Sequence, residues 1–237
     1  RLSSDSATAR ALANALALTG ALTLGDATNF GALTLSGNAT LTGDTTLTVA
    51  SAAILSGILS GVYNLTTAGA SELTLTGANS FTGTTTVNAG TLTLSGGAAL
   101  VDAMAVSVDA NGLLKLATSE TIGTLAGTGS VNLQGNTLTV GGGSATSFSG
   151  VLSGTGGALV KNGAAVFTLG GTNTFSGGVT LNAGAIQAGN DAALGSGILT
   201  FTGGRLSSDS TTARTLANVF ALTGALTLGD ATNSGVL

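Results

Sequence analysis

The sequence predicts an all-β chain wound as a parallel β-helix, a β-solenoid of short strands and Gly/Asn turns. Three observations carry that prediction. Aliphatic residues alternate with Thr, Ser or Asn in short runs along the whole length, as in Leu33-Thr-Leu35, Leu73-Thr-Leu75 and Leu138-Thr-Val140. Clusters of Gly, Asn, Ser and Asp separate the runs. Residues 205–237 repeat residues 1–33 at 27 of 33 positions, at a constant offset of 204. Period-2 alternation marks half-buried strands, the clusters supply turn chemistry, and long self-similarity marks an architecture that grows by adding units.

Composition narrows the class. Charged residues make up 7% of the 237 and hydrophobic residues 43%, with 39 Gly and no Pro, Cys, Trp or His. Disordered chains combine low hydrophobicity with high charge, and this chain does neither. The net charge of −4 falls within residues 1–204, because Arg205 and Arg214 balance Asp209 and Asp230 in the second copy. No basic cluster or aromatic platform is present, so the chain lacks what nucleic-acid binding needs. Without Cys there is no disulfide framework and no thiolate metal site. Seven Phe, one Tyr and one Met are too few large side chains for a thick sandwich core. A solenoid needs fewer, since each coil stacks small aliphatics on the coil below. At roughly 20–25 residues per three-strand coil the chain makes about 10–12 coils. At ~4.8 Å per coil that is a rod on the order of 50 Å long.

The first element carries two competing patterns. Ala11–Leu24 follows two Arg and resembles a signal-peptide apolar region, and the step from Leu12 to Leu16 suits a helix. The segment recurs internally at Thr215–Leu228, where no signal peptide acts. There Thr215, Val219 and Phe220 replace better helix formers, so strand is expected. Gly25-Asp26 and Ser36-Gly37-Asn38 read as turns. Leu47–Leu65 holds nineteen uncharged residues, of which seven are Thr, Ser, Gly or Asn, with no Lys or Arg at its flanks. Stacked buried strands are expected there in place of a membrane span. Further strands are expected at Leu92-Thr-Leu94, Val106-Ser-Val108, Val131-Asn-Leu133 and Leu181–Ile186, with turns at Asn111-Gly112 and Gly141–Gly143.

A shorter repeat lies inside this pattern. Leu73-Thr-Leu75-Thr-Gly77-Ala-Asn79-Ser-Phe81-Thr-Gly83, continuing to Val87-Asn88-Ala89-Gly90-Thr-Leu92, returns 94 residues later. The second copy runs Phe167-Thr-Leu169-Gly-Gly171-Thr-Asn173-Thr-Phe175-Ser-Gly177, then Leu181-Asn182-Ala183-Gly184-Ala-Ile186. A degenerate copy starts at Leu33 and carries Leu41 in place of the aromatic. The Asn residues sit near Gly at expected turns, where Asn tolerates the left-handed region and its amide can bond the adjacent coil. Phe81 and Phe175 are expected to fill the widest part of the core.

This motif resembles the autotransporter-associated β-strand repeat of passenger regions in bacterial type V secreted proteins. Residues 122–157 are similar to spacer sequence of that family. The resemblance implies a right-handed helix hand, display outside a Gram-negative cell, and a C-terminal translocator barrel beyond these residues.

Catalytic chemistry has little to work with. The densest group is Asp102, Asp109 and Lys115, the carboxylate-and-base type that polysaccharide cleavage on a β-helix would use. Asp26, Asp44, Asp191 and Asp230 sit in turns, but no position gathers several carboxylates as Ca²⁺ requires. Thr pairs from Thr40/Thr42 to Thr172/Thr174 resemble ice-binding arrays, yet their irregular spacing keeps them off a single face. No cofactor and no metal site are expected. Residues 1–204 are expected to form one repeat unit and residues 205–237 the start of the next, within a longer repeating polypeptide. The expected function is a non-catalytic extracellular structural solenoid, the body of a surface filament or passenger stalk. The alternative is an adhesin module binding host, glycan or neighbouring-cell surfaces, with Tyr63 and the Arg1/Asp5/Arg10 group as its visible handles. End-to-end or side-by-side self-association is expected, because open strand edges are adhesive.

Overall fold

A computed structural model of the chain describes residues 1–232 and 235–237. Residues 233 and 234 of the second copy lie outside the described residues. Among the described residues there are 24 strands and no helix. Every strand pairing is parallel.

The strands fall on three faces. The first face stacks Arg10–Leu12, Leu33–Leu35, Ala53–Leu55 and Glu72–Leu75, then the later halves of Thr85–Leu94 and Ala105–Leu116. Ser130–Asn132 and Val151–Ser153 follow. The second face begins with Leu16–Leu18, 39–41 and Leu59–Gly61, and includes Glu120–Ile122 through Phe220–Leu222. On the third face Leu2 bridges Leu24, and segments 45–48, 65–68, 85–87, 105–108, 124–127, 146–148, 166–169, 185–188, 205–208 and 227–228 stack in turn. Residues 2–228 therefore complete eleven coils.

The alternation read from sequence sets what each face buries. Leu33, Ala53, Leu73, Leu92 and Leu114 occupy one inward position on successive coils, each at most 3% exposed. Their neighbours Thr34, Ile54, Thr74, Thr93 and Lys115 point outward at the next position. Stacking of this kind removes aliphatic surface from water at roughly 25 cal/mol per Å². It also satisfies the backbone of each coil from the coils on either side.

The segment that resembled a signal peptide is strand at Arg10–Leu12 and Leu16–Leu24. The uncharged stretch Leu47–Leu65 contributes to four strands, including Ala53–Leu55 and Leu59–Gly61. Among the described residues no helix is long and apolar enough to cross a membrane. Coil length is uneven. Paired residues lie as close as 17 apart (Leu113↔Ser130) and as far as 25 apart (Gly20↔Thr45). Register shifts at Leu18/Gly20 and Val108/Asn111 absorb extra residues where a strand turns a corner.

Candidate functional site

The two motif copies each make one complete coil, from Leu73 to its partner Leu92 and from Phe167 to its partner Ile186. Asn79 and Asn173 do the same work in each. The Asn79 Oδ1 accepts from the Leu59 N–H at 2.7 Å, and its Nδ2 donates to the Ala99 carbonyl at 2.8 Å. The Asn173 Oδ1 accepts from the Leu152 N–H at 2.7 Å, and its Nδ2 donates to the Ala193 carbonyl at 2.5 Å. Each amide thus joins three coils at a place where the backbone leaves the strand ladder. Both side chains are buried, so each bond satisfies a group that water cannot reach.

Phe81 and Phe175 are fully buried two residues further on. Asn88 and Asn182 are exposed. The Asn182 Nδ2 donates to Asn162 Oδ1 at 2.8 Å, while its Oδ1 accepts from the Thr202 hydroxyl at 2.7 Å. None of these four Asn adopts the left-handed conformation, and Gln134 (φ 53) is the non-Gly residue that does among those described. The left-handed positions belong to Gly90 (φ 72) and Gly184 (φ 74). Gly77, Gly83, Gly171 and Gly177 serve a different need. A Cβ at any of them would come within 2.4 Å of a carbonyl oxygen on the preceding coil, and at Gly171 within 1.7 Å of the Gly150 oxygen.

The two copies point in different directions. Asn79 follows Leu59 on the second face, whereas Asn173 follows Leu152 on the first. An offset of 94 residues has turned the motif by one face, about a third of a turn. The 204-residue repeat does not drift in this way. Leu2 and Leu206 both lie on the third face, ten coils apart.

Two ionisable residues that pattern reading passed over are buried in the second face. Glu120 is 3% exposed, and its carboxylate accepts from the Ala99 N–H at 3.1 Å and the Leu100 N–H at 3.3 Å. It continues the chain of side-chain links begun by Asn79. Burial raises its carboxyl above the usual range, opposed by those two bonds and assisted by the Asp102 charge. Lys161 is 2% exposed and stacks inward between Val140 and Leu181. Its ammonium curls back to the Asn162 and Gly163 carbonyls, and burial lowers its pKa. Both positions were legible from alternation, since Glu120 and Ile122, like Leu159 and Lys161, share an inward register.

The group considered for polysaccharide cleavage is dispersed. Asp102 lines a shallow concavity of about 720 Å³ with Thr121, Gly142, Ser144 and Asn162, and Asp109 and Lys115 take no part in it. The Lys115 ammonium lies instead 3.7 Å from Glu72 on the first face. The turn Asp residues are committed to structure. Asp26 accepts from the Thr28 hydroxyl at 2.6 Å and the Thr28 N–H at 2.7 Å, and Arg1 lies 2.5 Å away. These contacts, Thr28 foremost, hold its carboxyl below the usual range. Asp44 accepts from Asn64 N–H, Asp191 from Thr215 N–H and Asp230 from Thr232 N–H. Among the described residues no three acidic residues gather as a metal site would require.

Geometry defines the class as a three-faced parallel β-solenoid whose motif coils are tied together by buried Asn. Residues 65–94 and 159–188 both match the passenger-associated-transport-repeat family model. The chain carries this passenger repeat twice, the one its motif resembles. The matched segments start on the third and second faces, which is the same one-face rotation. An adhesin, the BmaC autotransporter of Brucella suis biovar 1 (strain 1330), is 39% identical over 129 residues. That alignment covers 54% of this chain and 4% of the adhesin. No solved structure matches the chain.

Proposed function

We propose that the chain is the non-catalytic body of an extracellular rod on a bacterial surface, a passenger stalk or filament built from 204-residue units. The observation that carries this reading is the return of the near-copy to its starting face after ten coils. Tandem units in that phase continue the stack of coils with every unit presenting the same faces, the additive growth by which a solenoid gains length. The outward positions are mostly Thr, Ser and Asn, a surface suited to solvation and poor in anchors for a tight interface.

The adhesin reading is the second. It draws on the name of the similar Brucella protein and on Ile58, Val62 and Tyr63, which are 43%, 72% and 42% exposed at the two ends of the strand Leu59–Gly61. A glycan array and a cell-binding assay with the chain decide between them. The rod reading expects no saturable binding. Saturable, ligand-specific binding that disappears with Tyr63→Ala overturns it in favour of the adhesin reading. Polysaccharide cleavage abolished by Asp102→Ala would overturn the non-catalytic assignment.

A further inference from the structure

We propose that a notch at the corner between the second and third faces binds one neutral hexose unit of a glycan chain, with Asp102 taking two adjacent sugar hydroxyls. This goes beyond the rod reading and gives repeated length a use.

The notch follows from corner lengths. In the coil that carries Glu120–Ile122 and Thr124–Gly127, one residue, Gly123, turns the corner. The next coil uses five residues there, 141–145, and the one after uses four, 162–165. On the other side, 101–104 form a turn closed by the Met104 N–H on the Val101 carbonyl at 2.8 Å. One tight corner between longer ones leaves a recess over Gly123, the concavity of about 720 Å³. That size falls within the roughly 300–1,000 Å³ of small-molecule sites. Glycine is required for the tight corner. A Cβ at Gly123 would lie 2.4 Å from the Ala103 carbonyl oxygen, and one at Gly142 would lie 2.4 Å from the Gly123 oxygen.

Free polar groups set the notch apart from the corner on either side of it. There, side chains bond from coil to coil. Asp44 accepts from the Asn64 N–H at 3.0 Å, and Asn64 Oδ1 accepts from the Thr84 N–H and hydroxyl at 2.8 and 2.9 Å. Asn162, Asn182 and Thr202 form a second run. The notch lies between the two runs. Among the described residues, the side chains of its Asp102, Thr121, Thr124 and Ser144 have no hydrogen-bond or ion-pair partner. Asn162 Oδ1 is held by Asn182, which leaves its Nδ2 to donate into the notch.

This set of groups selects a ligand chemistry. A carboxylate only accepts, a hydroxyl both donates and accepts, and an amide nitrogen donates. A neutral sugar ring meets all of them, since adjacent hydroxyls donate to the carboxylate and the other oxygens accept from the rest. Among the described residues no Lys or Arg lines the notch, and Lys161, beside Asn162, turns inward to the Gly163 carbonyl. A sugar acid would therefore meet the Asp102 charge uncompensated. An ammonium group would satisfy Asp102 but offers no acceptor to the three hydroxyls and the amide. No aromatic ring lines the notch to stack on the sugar. A dissociation constant on the order of 1 mM follows for a single site. A contact so weak is lost in the washing of a glycan array. On the rod reading, units of ten coils place successive notches about 48 Å apart on one side, at ~4.8 Å per coil. Several such contacts with one glycan-coated surface raise the overall affinity by roughly 10²–10⁴.

The test titrates the full chain with glucose, galactose and mannose and follows its amide chemical shifts. At least one sugar should give saturable shifts around Gly123 and Gly142, with a constant on the order of 1 mM. Asp102→Asn, folded to the same thermal midpoint as wild type, should bind about tenfold more weakly. Tyr63→Ala should bind as wild type does. No saturable shift with any hexose, or binding that Asp102→Asn leaves intact, would overturn the site. Stronger binding of hexylamine or glucuronate than of the neutral hexoses would overturn the neutral-sugar assignment. The titration reads a single chain, so its failure leaves the rod reading standing, whereas failure of tandem units to form a rod removes only the avidity.

Discussion

Glu120 stacks directly on Leu138, an acid in line with aliphatics. An ionised carboxylate accepts hydrogen bonds but donates none, which suits the two backbone N–H groups of residues 99 and 100. Burial nevertheless makes the charge costly, and the folded pKa rises above the ordinary 4.5. The folded state then binds more protons than the unfolded state between 4.5 and the raised value. Stability from this group is greatest below that window and falls as pH rises through it. The thermal midpoint of the wild type minus that of Glu120→Gln should decline from pH 4 to pH 7. A difference that is flat or rises with pH would show that Glu120 is not strained by its burial. Alternation made the inward register of Glu120 and Lys161 legible. Their partners were not, because the carbonyls and N–H groups they meet lie at corners whose path no residue pattern specifies.

Strands and corners differ in how far sequence determines them. The Leu33, Leu73 and Leu92 strands follow from period-2 alternation alone, since a half-buried strand has one solution. Corners vary because coils gain or lose residues there, from 17 to 25 between partners. That variation hid the one-face rotation between the motif copies, because a coil length bracketed only at roughly 20–25 residues leaves the phase of a 94-residue offset open. It also hid the difference between Asn173, buried between three coils, and Asn182, exposed at a later corner. The two residues look alike in the motif. Removing the Asn173 amide leaves the Leu152 N–H and Ala193 carbonyl buried and unpaired, at about 1–3 kcal/mol for such groups. Chemical denaturation should therefore find Asn173→Ala destabilised by roughly 2 kcal/mol and Asn182→Ala within about 0.5 kcal/mol of wild type. Equal losses would mean that the buried amide contributes no more than the exposed one.

At the scale of the molecule, local contacts add up to a one-dimensional object. Each coil touches the coils before and after it, so stability grows by stacking and the ends are where it is weakest. The near-copy is legible in sequence as a repeat, but its phase is not, because 204 residues fix a direction only once each coil's length is known. The structure supplies that phase as ten coils and a return to the same face between Leu2 and Leu206. A repeat that returned on another face would still make a solenoid, but its surface would spiral from unit to unit. The most direct measurement is the length of a chain carrying two tandem copies of residues 1–204 followed by 205–237, imaged by electron microscopy. A continuous solenoid gives one straight, unbroken rod of about 100 Å, against about 50 Å for the single unit, at ~4.8 Å per coil. Two lobes joined by a bend, or a length that fails to double, would contradict it.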